Sequence, residues 1–446
     1  MEAATGARPI LRARAHALSG SGLGAVAVAA WALLIVVAWA WGNELRGDGA
    51  RILLDAPPLF GQFDVQIVSG GLWSLLPVAT AAAIVLVAPL LVRRLSWRYL
   101  LSAAVAAAAA WAFALALTEG TDGITAPLET PSGYLTAVGS VGSPGEFLST
   151  FTERIDGYAT HVRSHPPGMA LVLEGLDRVG IGGSAPAALL IVTVAATTAA
   201  AALIALRSVA DEQSARRAAP FLILVPGAVW IATTADALFM AVGAWSICLL
   251  ALAIAAEGHR SDLLALGGGL LFGVAIFLSF GLVLLAIVPV AVAVAARRVR
   301  PLAIAVAATA AVALVFLAAG YWWLDGFHAA REQYFSGVAK TRPYDFFLVS
   351  NLAAFAFATG PATAIALARL RDPRVWLLVG GGAGALALAW LSGMSKAEVE
   401  RIWLPFLPWI MLAAASLPTR VSSQRMLLGV QATSAIAIQL GVATIW

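Results

Sequence analysis

The sequence predicts an all-α polytopic membrane protein, a bundle of about 13 transmembrane helices with short surface helices on its outer face. The chain of 446 residues is 61% hydrophobic and only 12% charged, and its mean hydropathy is +0.88. Soluble domains carry about 25% charged residues, so this chain has about half the charge that a water-facing surface needs. The composition excludes a soluble enzyme, a disordered protein and a nucleic-acid binder, although the pI is about 9.6. The single cysteine, Cys248, excludes an intramolecular disulfide and a cysteine-based metal cluster.

The transmembrane helices are predicted from apolar runs, because a crossing needs roughly 17–25 mostly apolar residues. These runs place spans at 23–42, 72–92, 99–118, 185–206, 218–233, 235–256, 263–278, 280–296, 301–323, 346–370, 375–391, 402–417 and 426–445. Two longer runs are divided, near Thr233–Asp236 and near Ser279, where small and polar residues interrupt them. The first span lacks a small-residue cleavage site, which predicts an uncleaved signal anchor.

The charged residues predict the orientation of the bundle. With the basic N-terminus in the cytoplasm, 18 of the 28 basic residues fall in cytoplasmic segments, and 18 of the 24 acidic residues fall on the other side. Removing either division would invert every later segment and spoil this bias. The positive-inside rule therefore predicts a plasma (inner) membrane protein with a cytoplasmic N-terminus and its active face outside.

Polar side chains concentrate in the predicted outer connections, of which 119–184 is long enough to be functional. Its sharpest motif is His161-Val-Arg163-Ser-His165-Pro-Pro-Gly. The two prolines fix the backbone where the next apolar segment begins, so one interpretation is a rigid entry into a helix. The functional interpretation is that His161, Arg163 and His165 form a cationic, donor-rich pocket for a phosphate.

Several motifs resemble those of GT-C superfamily membrane glycosyltransferases of the dolichyl-phosphate-mannose mannosyltransferase and aminoarabinose-transferase type. The similar segments are an acidic outer loop followed by His165-Pro-Pro, Pro226-Gly-Ala-Val-Trp-Ile-Ala-Thr-Thr-Ala-Asp236, the hairpin from Gly269 to Ser279, and Lys396-Ala-Glu398-Val-Glu400-Arg401-Ile-Trp-Leu-Pro405. They cover roughly residues 100–420. Seen whole, the chain resembles the short GT-C proteins of actinobacterial cell-envelope synthesis, the methylthioxylose-transferase group. It departs from the family in two extra spans before the acidic loop, and Ser279 and Phe280 stand where the family often carries a lysine or threonine.

The resemblance implies a domain division: residues 1–98 form a two-span extension, 99–420 a GT-C-like catalytic core and 421–446 a final helix. It also implies transfer of a sugar from a polyprenyl-phosphate donor to a glycan or lipid-linked acceptor of the cell envelope. Such a reaction needs a carboxylate base and cations for the departing phosphate, and its transition state is oxocarbenium-like. No motif demands a metal, although the acidic outer loop leaves a divalent cation open.

The candidate site residues follow from the resemblance. Glu129 is the first candidate for the base and Asp122 the second. The substrate-binding candidates are Tyr134, His161, Arg163, His165, Asp236, Lys396 and Arg401. Asp236 lies between two short apolar segments, which is costly unless it is paired or faces a polar cavity.

Plainer interpretations stand beside these. Glu129 is also compatible with a solvated loop charge, and Arg401 with an arginine that snorkels to the membrane interface. Glu398, Glu400 and Arg401 are compatible with a local ion-pair cluster that ends a helix. At the level of function, the alternatives are a transporter or flippase of a lipid-linked sugar and a non-catalytic assembly scaffold. The glycosyltransferase hypothesis predicts that Glu129, His165, Asp236 and Arg401 converge on one outward cavity.

Overall fold

The computed structural model describes residues 7–63 and 71–444, with the side chains of 7–21 and of 338 outside the description. It is 78% helical. The α-helices are α1 Ala7–Gly47, α2 Leu75–Arg94, α3 Trp97–Ala116, α4 Asp122–Thr125, α5 Pro144–Thr150, α6 Thr160–Arg163, α7 Gly168–Arg178, α8 Ser184–Ala196, α9 Thr198–Val209, α10 Glu212–Ile223, α11 Ala235–Ala255, α12 Gly258–Ile276, α13 Ile287–Ala296, α14 Arg300–Ala318, α15 Trp323–Ser336, α16 Tyr344–Thr359, α17 Pro361–Arg369, α18 Pro373–Leu391, α19 Val399–Ile402, α20 Leu407–Met411 and α21 Val421–Gly441. Two short strands, β1 Gln62–Phe63 and β2 Val442–Ala443, pair antiparallel.

The membrane-capable helices are fewer than the sequence predicts. Within the described residues, seven helical segments are long and apolar enough to cross a membrane, and a bent pair makes up to eight. The seven are Gly22–Gly47, Gly71–Arg94, Trp97–Glu119, Ser184–Val209, Ala235–Ala255, Arg300–Ala318 and Pro373–Leu391. The all-α membrane-embedded class is thus confirmed, whereas the count of 13 transmembrane helices is not supported.

Prolines account for part of this difference. The predicted span 218–233 is split into the end of α10 and a 3-10 turn at Pro226–Trp230. The predicted span 402–417 becomes α20 between the 3-10 turns Leu404–Phe406 and Leu412–Ser416. A proline removes a backbone donor and disfavours a continuous helix, but it hardly lowers the mean hydropathy of a run. Hydropathy therefore registers one long helix where the chain forms several short ones.

The other missing helices are shorter or more polar than a spanning helix. The predicted span 280–296 is a 3-10 segment, Phe280–Ala286, followed by the ten residues of α13. Most of the predicted span 263–278 lies in α12, which begins five residues earlier, at Gly258, ends at Ile276 and includes Arg260 and Asp262. The final predicted span, 426–445, begins in α21, which ends at Gly441 and carries Arg425 and Gln431 among its apolar residues. Residue 445 lies outside the described part of the chain.

The predicted span 346–370 is two helices, α16 and α17, that meet at an angle of 94°. Gly360 lies at the bend with φ of 77°, in the left-handed region that favours glycine. Gln431 of α21 fits against this bend: its side-chain oxygen accepts from the Ala362 N–H at 3.1 Å, and its nitrogen donates to the Thr359 carbonyl at 2.9 Å. One side chain thereby satisfies backbone groups that the break leaves without helical partners.

Arginine side chains join the helix ends at one end of the bundle. Arg216 donates to the carbonyls of Val92 and Leu95 at the end of α2, at 2.6 and 2.9 Å. Arg374 donates to the Ala210 carbonyl after α9 at 3.2 Å. We call this the arginine-rich end, defined by Arg93, Arg216, Arg298, Arg300 and Arg374. The ends of α2, α9, α11, α13 and α17 meet there, so the starts of α11 and α18 lie at opposite ends of the bundle.

The predicted N-terminal extension is packed into the bundle. Helix α1 packs against α16 and α17, and α2 packs against α3, α10 and α21. The predicted boundaries at residues 98 and 420 remain predictions, as does the cytoplasmic placement of the N-terminus. The basic side chains of Arg8, Arg12 and Arg14, which contribute to that placement, lie outside the described part of the chain.

Candidate functional site

A buried arginine forms the centre of the candidate site. Arg401, in α19, is 5% exposed. Its Nη1 donates to Oδ2 of Asp236 at 2.7 Å, and its Nη2 donates to Oε2 of Glu398. Asp236 lies in the first turn of α11 and is 3% exposed, so both members of this ion pair are removed from solvent. The site lies at the end of the bundle opposite the arginine-rich end, because α11 starts there.

The backbone before Arg401 places Glu398 against the guanidinium group. Ala397 and Glu398 have φ angles of 73° and 61°, in the left-handed region that L-residues with side chains rarely adopt. The Glu398 carbonyl then accepts from the Arg401 and Ile402 N–H groups at 3.2 and 3.0 Å, which begins α19. Two consecutive strained residues beside a buried charge are the kind of feature that is concentrated at functional sites.

His161 binds the same guanidinium group. Arg401 Nη2 lies 3.2 Å from Nε2 of His161. Since a guanidinium only donates hydrogen bonds, we infer that Nε2 of His161 accepts and that its proton lies on Nδ1. Burial, together with the positive charges of Arg401 and His165, lowers the pKa of His161 to about 2. His161 is therefore neutral at pH 7.

His165 is also neutral in this environment. Its Nδ1 lies 3.0 Å from the His161 carbonyl oxygen. A carbonyl only accepts, so Nδ1 carries the proton and Nε2 is left as an unprotonated acceptor. Burial lowers the pKa of His165, although the nearby Asp236 carboxylate opposes the shift. The predicted cationic trio of His161, Arg163 and His165 therefore needs correction: burial beside Arg401 keeps both imidazoles uncharged.

Tyr134 covers the histidines with its ring. Its centroid lies 5.8 Å from each of the His161 and His165 rings and 6.5 Å from that of Phe239. Its hydroxyl is buried and, within the described residues, has no hydrogen-bond partner. Burial, with the negative charge of Asp236, raises the pKa of Tyr134 well above its usual value. The hydroxyl is therefore a neutral donor beside the guanidinium group.

We call this set the Arg401 cluster: Tyr134, His161, His165, Asp236, Glu398 and Arg401. Five of its members are residues that the sequence proposed for substrate binding. Glu398 entered the sequence interpretation only as part of a local ion-pair cluster. Its contact with Arg401 fits that interpretation, but Asp236 and His161 reach the same guanidinium from distant parts of the chain.

The predicted base lies beside the Arg401 cluster and does not touch it. Glu129 is exposed, and its Oε1 accepts from the Ser184 hydroxyl at 2.5 Å. The loop that carries it is joined to the histidine segment, because the His161 N–H donates to the Ser132 carbonyl at 3.0 Å. Asp122, the second candidate, is exposed in the first turn of α4. The role of either carboxylate as base stays a prediction.

Arg163 and Lys396 lie outside the contacts of the Arg401 cluster. Arg163 is half-buried and forms no ion pair with any described residue. Lys396 donates from Nζ to the carbonyls of Ala339 and Arg342, at 2.9 Å each. Arg342 in turn donates from Nη1 to the Lys396 carbonyl, at 2.5 Å. Lys396 thus joins two loops, and burial lowers its pKa.

Glu400 is a buried carboxyl that sequence reasoning did not single out. It is 1% exposed, and its Oε1 accepts from the Phe60 N–H at 2.9 Å. Its Oε2 has no hydrogen-bond partner among the described residues. Burial raises the pKa of Glu400 to about 7, in spite of the hydrogen bonds it accepts. The contact spans 340 residues of sequence, so no local pattern reveals it.

Arg342, in the polar loop between α15 and α16, is the second buried residue that was not predicted as part of the site. The side chain is 8% exposed, and its guanidinium lies 5.8 Å from the centroid of the Phe347 ring. Its burial depends on tertiary packing, which no local signal in the sequence reveals.

In the described part of the chain, no group of three or more His, Cys, Asp or Glu side chains is arranged to hold a metal ion. In the Arg401 cluster, the guanidinium already lies between the carboxylates and the imidazole. A divalent cation therefore stays an open prediction for the acidic loop.

No protein-family model, curated protein or solved structure matches the chain. The chemistry of the Arg401 cluster indicates which reactions it can support. A buried guanidinium with two carboxylates and two neutral imidazoles can hold an oxyanion if one carboxylate leaves. It can also accept a proton at an imidazole nitrogen.

Proposed function

We propose that the chain is an integral membrane glycosyltransferase that moves a sugar from a polyprenyl-phosphate donor to a cell-envelope acceptor. The observation that carries the proposal is the burial of Arg401 between Asp236, Glu398 and His161 at one end of a membrane-embedded bundle. A buried charge is costly, and such groups with perturbed pKa values are concentrated at functional sites. A donor of this class would keep its lipid chain in the bilayer and present its phosphate at this end of the bundle.

In this proposal the donor phosphate takes the place of Glu398 on Arg401. Asp236 is deeply buried and holds Nη1, whereas the Glu398 side chain is 23% exposed and belongs to the strained segment. Glu398 is therefore the carboxylate that can leave at the lower cost. The incoming phosphate would gain Nη2 of Arg401, with the unpartnered Tyr134 hydroxyl as a second donor.

Glu129 is the proposed base that removes the acceptor proton, with Asp122 as the second candidate. Glu129 is exposed, so an acceptor arriving from the aqueous phase can reach it. The hydrogen bond between His161 and Ser132 holds its loop next to the Arg401 cluster. We further propose that this end of the bundle faces outside the plasma membrane, as the distribution of basic residues favours.

A transporter or flippase of a lipid-linked sugar is the alternative function. The Asp236–Arg401 ion pair at the end of an apolar helix favours it, because transporters use such intramembrane pairs. A transporter places its site near the bilayer midplane, however, and Asp236 lies in the first turn of α11.

The test is transfer of a labelled sugar from a polyprenyl-phosphate donor by the purified full-length chain. Glu129→Gln should lower the rate by about 10²-fold or more, the usual contribution of a general base. Glu153→Gln is the matched control, because Glu153 is an exposed carboxylate of the same long loop. Equal activity of wild type and Glu129→Gln would eliminate Glu129 as the base. Sugar-lipid movement across liposomes without transfer would establish the alternative instead.

A further inference from the structure

A large apolar groove runs between α1 and α21. Its volume is about 910 Å³, near the upper end of the range of roughly 300–1,000 Å³ for small-molecule sites. Its walls include Val36 and Trp39 of α1, Leu59 and Phe63 of the following loop, and Val430 of α21. No member of the Arg401 cluster lines it. On α21 the lining extends from Arg425 to Gly441, about 24 Å at 1.5 Å per residue.

Among the described residues, Arg425 is the one charged residue that lines this groove. Its Nη2 donates to the Leu86 carbonyl at 2.7 Å, and its Nε has no hydrogen-bond partner within the described residues. Leu86 lies inside α2, about two turns from the arginine-rich end, and is 54% exposed, so the guanidinium lies against the outer apolar surface of α2.

The described helices around Arg425 supply no carboxylate that is free to pair with it. The segments 22–43, 75–118, 346–371 and 420–446 contain neither Asp nor Glu. Helix α10 also packs against α2 and α21, but its Glu212 is paired with Arg207 and Arg216. A guanidinium at membrane depth is costly unless an anion pairs with it, and an anionic ligand can supply that counter-charge.

We propose that the groove binds an anionic phospholipid, with its phosphate on Arg425 and an acyl chain along α21. The length and apolar lining of the groove fit a hydrocarbon chain, and the guanidinium at one end fits the phosphate. Arg93 and Arg420 lie at the same end of the bundle, and basic clusters beside a membrane attract anionic lipids. The proposal is independent of glycosyl transfer.

The test is native mass spectrometry of the full-length chain with phosphatidylglycerol and phosphatidylcholine of identical acyl chains. The wild type should retain phosphatidylglycerol about five- to tenfold better, because phosphatidylcholine carries a choline cation that cancels the charge of its phosphate. Arg425→Gln should abolish this preference, and Arg425→Lys should keep part of it. Arg260→Gln is the matched control, because Arg260 is an exposed arginine of α12 that does not line the groove.

A second variant tests the groove without changing charge. Gly429 lines it, and a side chain added there meets open space, so Gly429→Phe should fold and fill the groove. This variant should lose retention of both lipids. Wild-type preference in Arg425→Gln, equal retention of the two lipids by wild type, or a co-purified polyprenyl phosphate in the groove would each overturn the proposal.

Discussion

At the arginine-rich end, partly or fully exposed guanidinium groups donate to carbonyls at helix ends or to exposed carboxylates, whereas at the opposite end Arg401 is buried among carboxylates and an imidazole. The Arg300–Asp262 pair leaves 77% and 28% of its side chains exposed, against 6% and 5% for Arg401–Asp236. Exposed pairs contribute little to stability, while a buried pair carries a large desolvation cost that each partner offsets for the other. The exposed arginines join helix ends. In the Arg401 cluster, by contrast, the loss of any one charged partner should destabilise the fold.

The largest effect should follow from breaking the buried pair. Asp236→Asn leaves Arg401 with one carboxylate fewer in a desolvated site, and we expect a loss of about 3 kcal/mol in the free energy of unfolding. Thermal unfolding in detergent measures it. If Asp236→Asn lowered the unfolding temperature no more than Arg300→Gln does, the contrast between the two ends of the bundle would be wrong.

The next effect concerns pH and Glu400. Its pKa is about 7 in the fold against a usual value of 4.5, so the protonated carboxyl is the form that the fold favours. The stabilisation is complete below about pH 4.5 and is lost as the pH rises through 7, a difference of roughly 3 kcal/mol. Unfolding of wild type, compared with Glu400→Gln across this window, measures the difference between the two proteins.

The comparison with Glu400→Gln is needed because other groups of the same site titrate in the opposite sense. The depressed pKa values of His161 and His165 stabilise the fold above about pH 6.5 and cost stability as the pH falls. These contributions are common to both proteins and cancel in the difference. Parallel pH profiles for wild type and Glu400→Gln would show that Glu400 does not hold its proton.

A smaller effect is expected from Arg216 at the arginine-rich end. This side chain is 20% exposed, contacts Glu212 at 2.6 Å and donates to the Val92 and Leu95 carbonyls at the end of α2. Arg216→Gln should lower the free energy of unfolding by about 1–2 kcal/mol, since hydrogen bonds from a charged donor are lost. A loss as large as that in Asp236→Asn would remove the distinction between the two ends.

The smallest effect is expected from Arg300→Gln. Its pair with Asp262 is exposed to solvent, so we expect a change of about 0–1 kcal/mol, further reduced by salt. Unfolding at low and high ionic strength checks this expectation. A loss above about 2 kcal/mol would show that exposed pairs hold the helix ends together more strongly than their geometry indicates.

The membrane class followed from composition alone, because a chain with so few charges has no alternative to burial in lipid. The number of helices did not follow, since hydropathy averages over the prolines that break 218–233 and 402–417. Asp236 and Arg401 could be chosen as candidates because each is a charge beside an apolar run. Their pairing with each other, across 165 residues, depends on the fold.

Other parts of the site lay beyond sequence reasoning for different reasons. The neutral state of His161 depends on burial beside Arg401, which the sequence does not reveal. The motif with Arg163 and His165 therefore predicted a positively charged imidazole. The left-handed conformation of Glu398 carries no signal in a residue that is neither Gly nor Asn. The partner of Glu400 is a backbone N–H, which has no signature in the sequence.

The bend between α16 and α17 has a consequence for how the protein is made. The Ala362 N–H donates to Gln431, which belongs to a helix that the ribosome synthesises later, whereas the Thr359 carbonyl also accepts from the Thr363 hydroxyl. Until α21 is in place, the Ala362 N–H at the bend lacks this acceptor. Assembly of this region is therefore completed from its C-terminal side, and a chain that terminates early would present the quality-control machinery with an unfinished bend.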